Sequence, residues 1–382
     1  MKLYKIAISL LFFTLSASAS EIRTRTINSV HSAVPFLTIA PDSRAAAMGD
    51  VGVATSPDVN SLHWNPAKYA FIKADESVAL SYSPWLRGLV NDMHLLYLTL
   101  YKRIDHLQVI AASLRYFNLG SIQFRDDQGS LMDVRSPNEF AIDAAYSRMF
   151  SDNFSAALAF RYVRSDISAG FTNMGGVRAR AGNSFAADVA IYYHSDNLHL
   201  SDKSGDWALG INISNIGTKM AYSNQQNRMF IPTNLRLGGS IGLNLDDHNK
   251  MTFALDLNKL LVPTPPMFDN EGNMIGMPSD VGVVRGIFQS FYDAPGGFKE
   301  ELREISYAMG IEYLYREVFA IRTGYFTEHP TKGNRRYFTM GFGLNMNRLG
   351  IDFSYLVAAR GRHNPLNNTL RLTFVLNFGV QA

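Results

Sequence analysis

The sequence predicts an all-β fold: a fourteen-stranded antiparallel transmembrane β-barrel with an N-terminal hatch inside its lumen. Three observations carry this. Past residue 74 the chain divides into fourteen segments in which apolar and polar side chains alternate with period two. The connections between them are alternately short and long. The stretch ahead of them is rich in small residues and lacks that period.

The segments are 76–84, 93–104, 107–117, 139–150, 153–166, 183–194, 206–215, 233–245, 250–258, 305–315, 318–326, 337–346, 350–358 and 368–378. The last shows the pattern most cleanly. Leu370, Leu372, Phe374, Leu376 and Phe378 share one face; Arg371, Thr373, Val375 and Asn377 share the other. Connections after even-numbered segments are tight: 105–106, 151–152, 246–249, 316–317 and 347–348, with 195–205 the longest of the set. Those after odd-numbered segments are mostly long: 118–138, 167–182, 216–232, 259–304, 327–336 and 359–367. Strands of about ten residues, even in number, with short and long turns alternating, describe a bacterial outer-membrane barrel. A soluble sandwich has no reason to place every long loop at one end. The expectation is that short turns and both termini face the periplasm and long loops face outside.

The apolar face then meets lipid, because only a closed barrel satisfies every backbone group there. Tyr82, Tyr146, Trp207, Tyr315, Phe326 and Tyr355 lie near segment ends, where an aromatic belt belongs. The opposite face carries Asp143, Arg161, Asp188, Arg236, Asp256, Glu312, Arg322, Asp352 and Arg371. Four pairs fall at similar distances from their shared turns: Asp143 with Arg161, Arg236 with Asp256, Glu312 with Arg322, and Asp352 with Arg371. Opposed charges on neighbouring strands stabilise each other. A wide ion-selective pore would show one dominant sign. Balanced charge predicts a paired, largely filled lumen.

Residues 41–73 are the candidate hatch, after a polar lead-in over 20–40. Ala45, Ala46, Ala47, Gly49, Gly52 and Ala54 allow close approach to a wall. Asp42 or Ser43 caps one short helix, Ser56-Pro57 opens a second, and Asn65-Pro66 redirects the chain. Ahead of this, Lys2 and Lys5, the apolar run 6–15 and Ser16-Ala17-Ser18-Ala19 have the order of a signal peptide over 1–19, cleaved after Ala19 or Ser20. The formal charge of +3 falls to +1 without Lys2 and Lys5, which gives no argument for nucleic acid. The absence of cysteine excludes disulfides and thiolate chemistry.

No motif supports catalysis, a metal or a cofactor, so an enzyme is not expected. Gly238-Gly239-Ser240-Ile241-Gly242 fits G-x-S-x-G, but it lies inside an alternating segment, where the strand-to-helix turn is missing. Small residues leaving room for the hatch explain it better. The nine His residues are scattered. Asp269-Asn270-Glu271-Gly272-Asn273 lacks the closing Glu of a calcium loop and reads as a turn. The connection 259–304 is the outlier. It opens with Leu260-Leu261-Val262-Pro263-Thr264-Pro265-Pro266-Met267-Phe268, and Val281, Val283, Val284, Ile287, Phe288 and Phe291 suggest one face of a short helix. Exposed apolar surface of this extent marks an interaction site.

Met48-Gly49, Gly52-Val53-Ala54 and Trp64-Asn65-Pro66-Ala67 resemble the hatch of the FadL group of barrels. Pro41-Asp42-Ser43-Arg44, His63-Trp64-Asn65-Pro66-Ala67-Lys68-Tyr69, Ser83-Pro84-Trp85-Leu86-Arg87, Leu89-Val90-Asn91-Asp92 and 258–266 resemble the PorV (LptO) family of the type IX secretion system. The resemblance covers essentially the whole mature chain. It implies a non-enzymatic component that binds exported cargo bearing a C-terminal signal domain. Its implied partners are a SprA-like translocon barrel and a PorU-like sortase in a cell-surface attachment complex, within outer-membrane lipid. On this reading Pro265, Pro266, Met267 and Phe268, with Trp85 and Leu86 beside them, are the candidate partner-contacting residues. The rival is a FadL-like transporter of hydrophobic molecules. It predicts an apolar pocket between hatch and wall, and a strand gap for which Gly341 and Gly343 are candidates.

Overall fold

The computed structural model describes residues 27–86, 92–125, 128–167, 180–200, 202–222, 228–359 and 368–379. The signal-peptide assignment lies outside them. Fourteen strands close a barrel: β1 (Glu76–Pro84), β2 (His94–Arg103), β3 (Gln108–Asn118), β4 (Asn138–Ser151), β5 (Phe154–Asp166), β6 (Gly182–Leu200), β7 (Lys203–Gly217), β8 (Asn234–Asp246), β9 (Asn249–Leu260), β10 (Ser306–Tyr315), β11 (Phe319–Thr327), β12 (Arg336–Met346), β13 (Leu349–Ala358) and β14 (Thr369–Phe378). Each pairs antiparallel with its sequence neighbours, and β1 closes on β14 from Glu76↔Phe378 to Tyr82↔Leu372. The expected fold class is therefore the observed one.

Period two produces this fold because it sorts side chains by solvent. Leu98, Leu100, Ile142, Phe160 and Phe253 are exposed on the outside, while Thr99, Ser113, Asp143 and Arg161 are buried inside. This inverts a soluble protein. Large apolar side chains lie outermost, where lipid replaces water, and the closed ladder leaves no edge in the hydrocarbon.

Several expectations need correction. The connection 195–205 is largely ladder: Leu198↔Gly205, His199↔Ser204 and Leu200↔Lys203 extend the β6–β7 hairpin past a register shift. The extended pairing satisfies backbone groups that a free loop would leave to water. Phe326 is no belt residue. It is buried, stacked on Tyr337 at 5.0 Å and covered by the Arg335 guanidinium. Tyr82, Tyr146 and Tyr315 are exposed, as a belt requires, and Trp207 and Tyr355 are half-buried.

The third correction concerns the N-terminal side. β14 ends at the short turns, where Asn377 N donates to Arg348 O at 2.9 Å. The first described residues lie at the opposite mouth. Asn28 N donates to Thr331 O in the 327–336 connection at 3.1 Å. Its Nδ2 donates to Pro265 O at 3.2 Å and Glu300 Oε1 at 3.3 Å. Ala33 N then donates to Phe230 O at 2.8 Å. From Asn28 at the long-loop mouth the described chain runs through the lumen to the short-turn mouth, where Tyr101 Oη donates to Ala74 O at 3.3 Å.

Inside, Asp42 caps the helix Ser43–Ala47 by accepting from Ala45 N at 2.9 Å, and it accepts from Trp64 Nε1 at 2.7 Å. The second helix is Ser61–Trp64, not one opened by Ser56-Pro57. The Asp58 carboxylate accepts from Asn60 N at 2.9 Å and holds the intervening residues in a turn. Asn65 caps the 3₁₀ helix Pro66–Phe71, with Pro66 at its first position. Small wall residues let this segment touch the sheet. A Cβ on Gly324 would stand 2.0 Å from the Met48 carbonyl carbon.

Candidate functional site

Among the described residues, most lumen charges are paired with one another or bound to the hatch, and a cavity lined by Asp50, Arg236, Glu304, Lys332 and Arg335 remains beside it. Asp143 and Arg161 are register partners, and their side chains form an ion pair. Arg161 also bridges to Asp188 at 3.1 Å and donates to Asn215 Oδ1. Ser113 Oγ donates to Asp143 at 2.6 Å. Glu312 and Arg322, likewise in register, meet at 2.6 Å. Arg44 of the hatch joins them, 2.9 Å from both Glu312 and Asp58.

The other two expected pairs do not form among the described residues. Arg236 stands opposite Asn258, and Asp256 opposite Gly238, so the two are offset along the strands. Each turns to the hatch. Asp256 accepts from Gly52 N at 2.7 Å and Val53 N at 3.0 Å. Arg236 donates to His63 O at 2.8 Å, over the Trp64 ring. Asp352, opposite Thr373, pairs with Arg322 at 2.5 Å instead of Arg371. Arg371 lies over the Trp85 ring at 5.9 Å.

Sequence reasoning missed Arg115. It is buried and donates to Leu37 O at 2.9 Å and to His63 Nδ1 at 2.6 Å. Its parity with Ser113 on β3 was the available signal. Lys68 was also missed; nothing local marks a hatch lysine that donates to Gly52 O at 2.7 Å and Thr55 Oγ1 at 3.1 Å.

Ser240 of the G-x-S-x-G match is a hatch contact: its Oγ donates to Ala54 O at 2.7 Å. Gly238 faces Val53, whereas Gly242 faces Asp206 and Lys250. Pairing of β12 with β11 and β13 runs unbroken through Gly341 and Gly343, so these glycines open no gap. Gly341 faces Ala47 of the hatch. The large apolar hollow, lined by Leu209, Ile241, Phe253, Leu255, Ile311 and Phe338, is built from the outward face of the wall.

The connection 259–304 is a folded cap at the long-loop mouth. Lys259 Nζ reaches Glu301 at 3.0 Å and Glu304 at 2.7 Å. Lys332 reaches Glu300 at 2.6 Å and Glu304 at 2.8 Å. Thr264 Oγ1 donates to Glu304 at 2.7 Å. Gly286 in the helix Val283–Gln289 seats on Phe230 and Pro263. Above this polar base, Met267–Phe268 pairs with Met274–Ile275 around a turn in which Asp269 accepts from Glu271 N and Asn273 N. Phe268, Phe288, Tyr292 and Phe298 are each more than 60% exposed. Folded apolar surface of this kind is unusual unless it meets a partner. Pro265, Pro266 and Met267 are half-buried beside Phe268.

Trp85 and Leu86 start from a different wall. Trp85 follows β1 and packs edge-on against Phe117 of β3, whereas 259–304 joins β9 to β10 across the barrel. The two candidate contact sets share the long-loop mouth but stand on different walls.

Comparison with known protein families matches residues 22–267 to the family described as Type IX secretion system protein PorV. The chain belongs to the PorV family. It is thus an outer-membrane component of the type IX secretion system. No curated protein matches it. Among solved structures, it is similar to the toluene transporter TodX of Pseudomonas putida, at 12% identity over 89% of this chain and 99% of that one, TM-score 0.48. It is also similar to the toluene transporter TbuX of Ralstonia pickettii, at 11% identity over 88% and 98%, TM-score 0.45. A Pseudomonas aeruginosa FadL homologue matches at 11% identity over 92% and 99%, TM-score 0.44. These are similarities of fold, and no substrate follows from them.

Proposed function

We propose that this PorV-family barrel binds exported cargo bearing a C-terminal signal domain at a SprA-like translocon and delivers it to the attachment complex containing a PorU-like sortase. The observation that carries this is a hatch held inside the barrel beneath a folded cap that exposes apolar side chains. Asp256, Arg115 and Arg236 of the wall bind backbone groups of the lead-in and hatch. The working surface is then the outer mouth, and its exposed aromatic side chains suit a protein partner. Pro265, Pro266, Met267 and Phe268 are the contact residues on this reading. Trp85 and Leu86 would form a second contact, across the mouth.

The mouth faces outside and the short turns face the periplasm in this proposal. Affinity isolation from gently solubilised outer membranes tests it. Co-isolation of a very large barrel, a sortase-like protease and proteins sharing a C-terminal domain is the expected result. Recovery of the barrel alone with bound fatty acid would overturn it in favour of a hydrophobic-molecule transporter.

A further inference from the structure

The N-terminal lead-in performs a task that neither the hatch nor the cap explains. Asn28 makes hydrogen bonds to three separate pieces of the long-loop mouth: Thr331 in the β11–β12 connection, Pro265 at the start of the 259–304 cap, and Glu300 in its helix Phe298–Arg303. Glu300 in turn holds Lys332. A few residues on, Ala33 bonds Phe230, the residue on which the cap glycine Gly286 sits. Val34 and Phe36 then join the buried cluster of Leu95, Phe117, Ala141 and Val163, against which Trp85 packs. One extended piece therefore crosses the mouth from the cap to the opposite wall and touches both candidate contact regions.

We propose that residues 27–34 are a strap that enters the barrel from the long-loop side and clamps the 259–304 cap in its partner-facing shape. The physical basis is geometric. The 259–304 cap is tied to the rest of the molecule through Lys259 of β9, Lys332 of the 327–336 connection, Leu261 N on Thr233 O, and Asp280 on Lys219. Near Pro265, where the chain turns upward to Met267 and Phe268, Asn28 adds a bond from outside the cap. Tension or competition on the strap would reach the cap through Pro265 and Glu300 without any change in the wall. This goes beyond the secretion reading and does not depend on which partner the cap meets.

The test exploits a chain without cysteine. Single cysteines are placed at Ile27, which is 73% exposed, at Asn270 in the cap, and at Asp152 in a short turn. Each variant is labelled with a membrane-impermeant maleimide on intact cells and after outer-membrane permeabilisation. The strap predicts that Ile27→Cys follows Asn270→Cys. If Ile27→Cys follows Asp152→Cys, the strap topology is wrong. The clamp is tested separately in the folded, detergent-solubilised barrel. Asn28→Ala is expected to speed tryptic cleavage at the exposed cap sites Arg285, Lys299 and Arg303 by about fivefold or more. Heat-modifiable migration confirms that the barrel is intact. Cleavage at the wild-type rate would overturn the clamp.

Discussion

The close approach of hatch and wall at Gly324 supplies a sharp test of the packed hatch. At Gly324 an added Cβ would lie 2.0 Å from Met48 C, 2.2 Å from Gly49 N and 2.4 Å from Met48 O. Ordinary contact begins at 3.4 Å. Wall and hatch must separate by about 1.5 Å, and the obstructing atoms are backbone, which has no rotamer to change. The hatch is held on both flanks: Gly49 N donates to Thr339 Oγ1 at 2.8 Å, and Gly52 N donates to Asp256 at 2.7 Å. Separation at Gly324 strains these bonds too. Gly324→Ala is therefore expected to cost about 2–3 kcal/mol, the upper part of the overpacking range. Gly239→Ala is the control. It faces outward, with its nearest contact, Leu209, at an ordinary 3.5 Å, and should change stability by less than about 0.5 kcal/mol. Urea unfolding in detergent, read by heat-modifiable migration, measures both. Planar-bilayer conductance adds a functional reading: Gly324→Ala should raise channel openings over wild type, and Gly239→Ala should not. Equal stability and conductance for the two variants would refute the packed hatch.

Three further outcomes follow from the same geometry. Arg161→Ala strands two buried carboxylates, Asp143 and Asp188, and should cost about 3–5 kcal/mol in urea unfolding; adding Asp188→Ala should recover part of that loss. Asp256→Ala leaves the buried Gly52 and Val53 amides without their acceptor and should cost about 2 kcal/mol or more while raising bilayer conductance. Changing Pro265, Pro266 and Met267 to Ser and Phe268 to Asp should leave barrel stability unchanged and abolish co-isolation of the translocon. Retained co-isolation would remove this surface from the proposal.

The barrel was legible because its two solvents impose opposite demands on alternate residues. Each strand buried in lipid on one side and protein on the other carries its own signature, as Leu370 to Phe378 does. Strand positions followed to within a residue or two except on β6 and β7, where pairing continues past the amphipathic run. The register of nearest neighbours was partly legible too. Distance from a shared turn located Asp143↔Arg161 and Glu312↔Arg322, because hairpin pairing is a local count. It failed for Arg236 with Asp256 and for Asp352 with Arg371, where an offset of two residues frees each charge for another partner.

By itself, then, the sequence determined the strand number, the alternation of short and long connections, the lipid and lumen faces, and the presence of a compact segment ahead of the barrel. These are set by local pattern, which the order of residues contains in full. Only the tertiary structure decided which way that segment threads, and what the lumen charges hold. Asp256 meets Gly52 across 204 residues, Arg115 meets Leu37 across 78, and Asn28 meets Pro265 across 237. Such contacts have no period and no spacing. Their physical cause is the enclosed volume itself, which brings buried polar groups together and leaves each to be satisfied by whatever segment lies within reach.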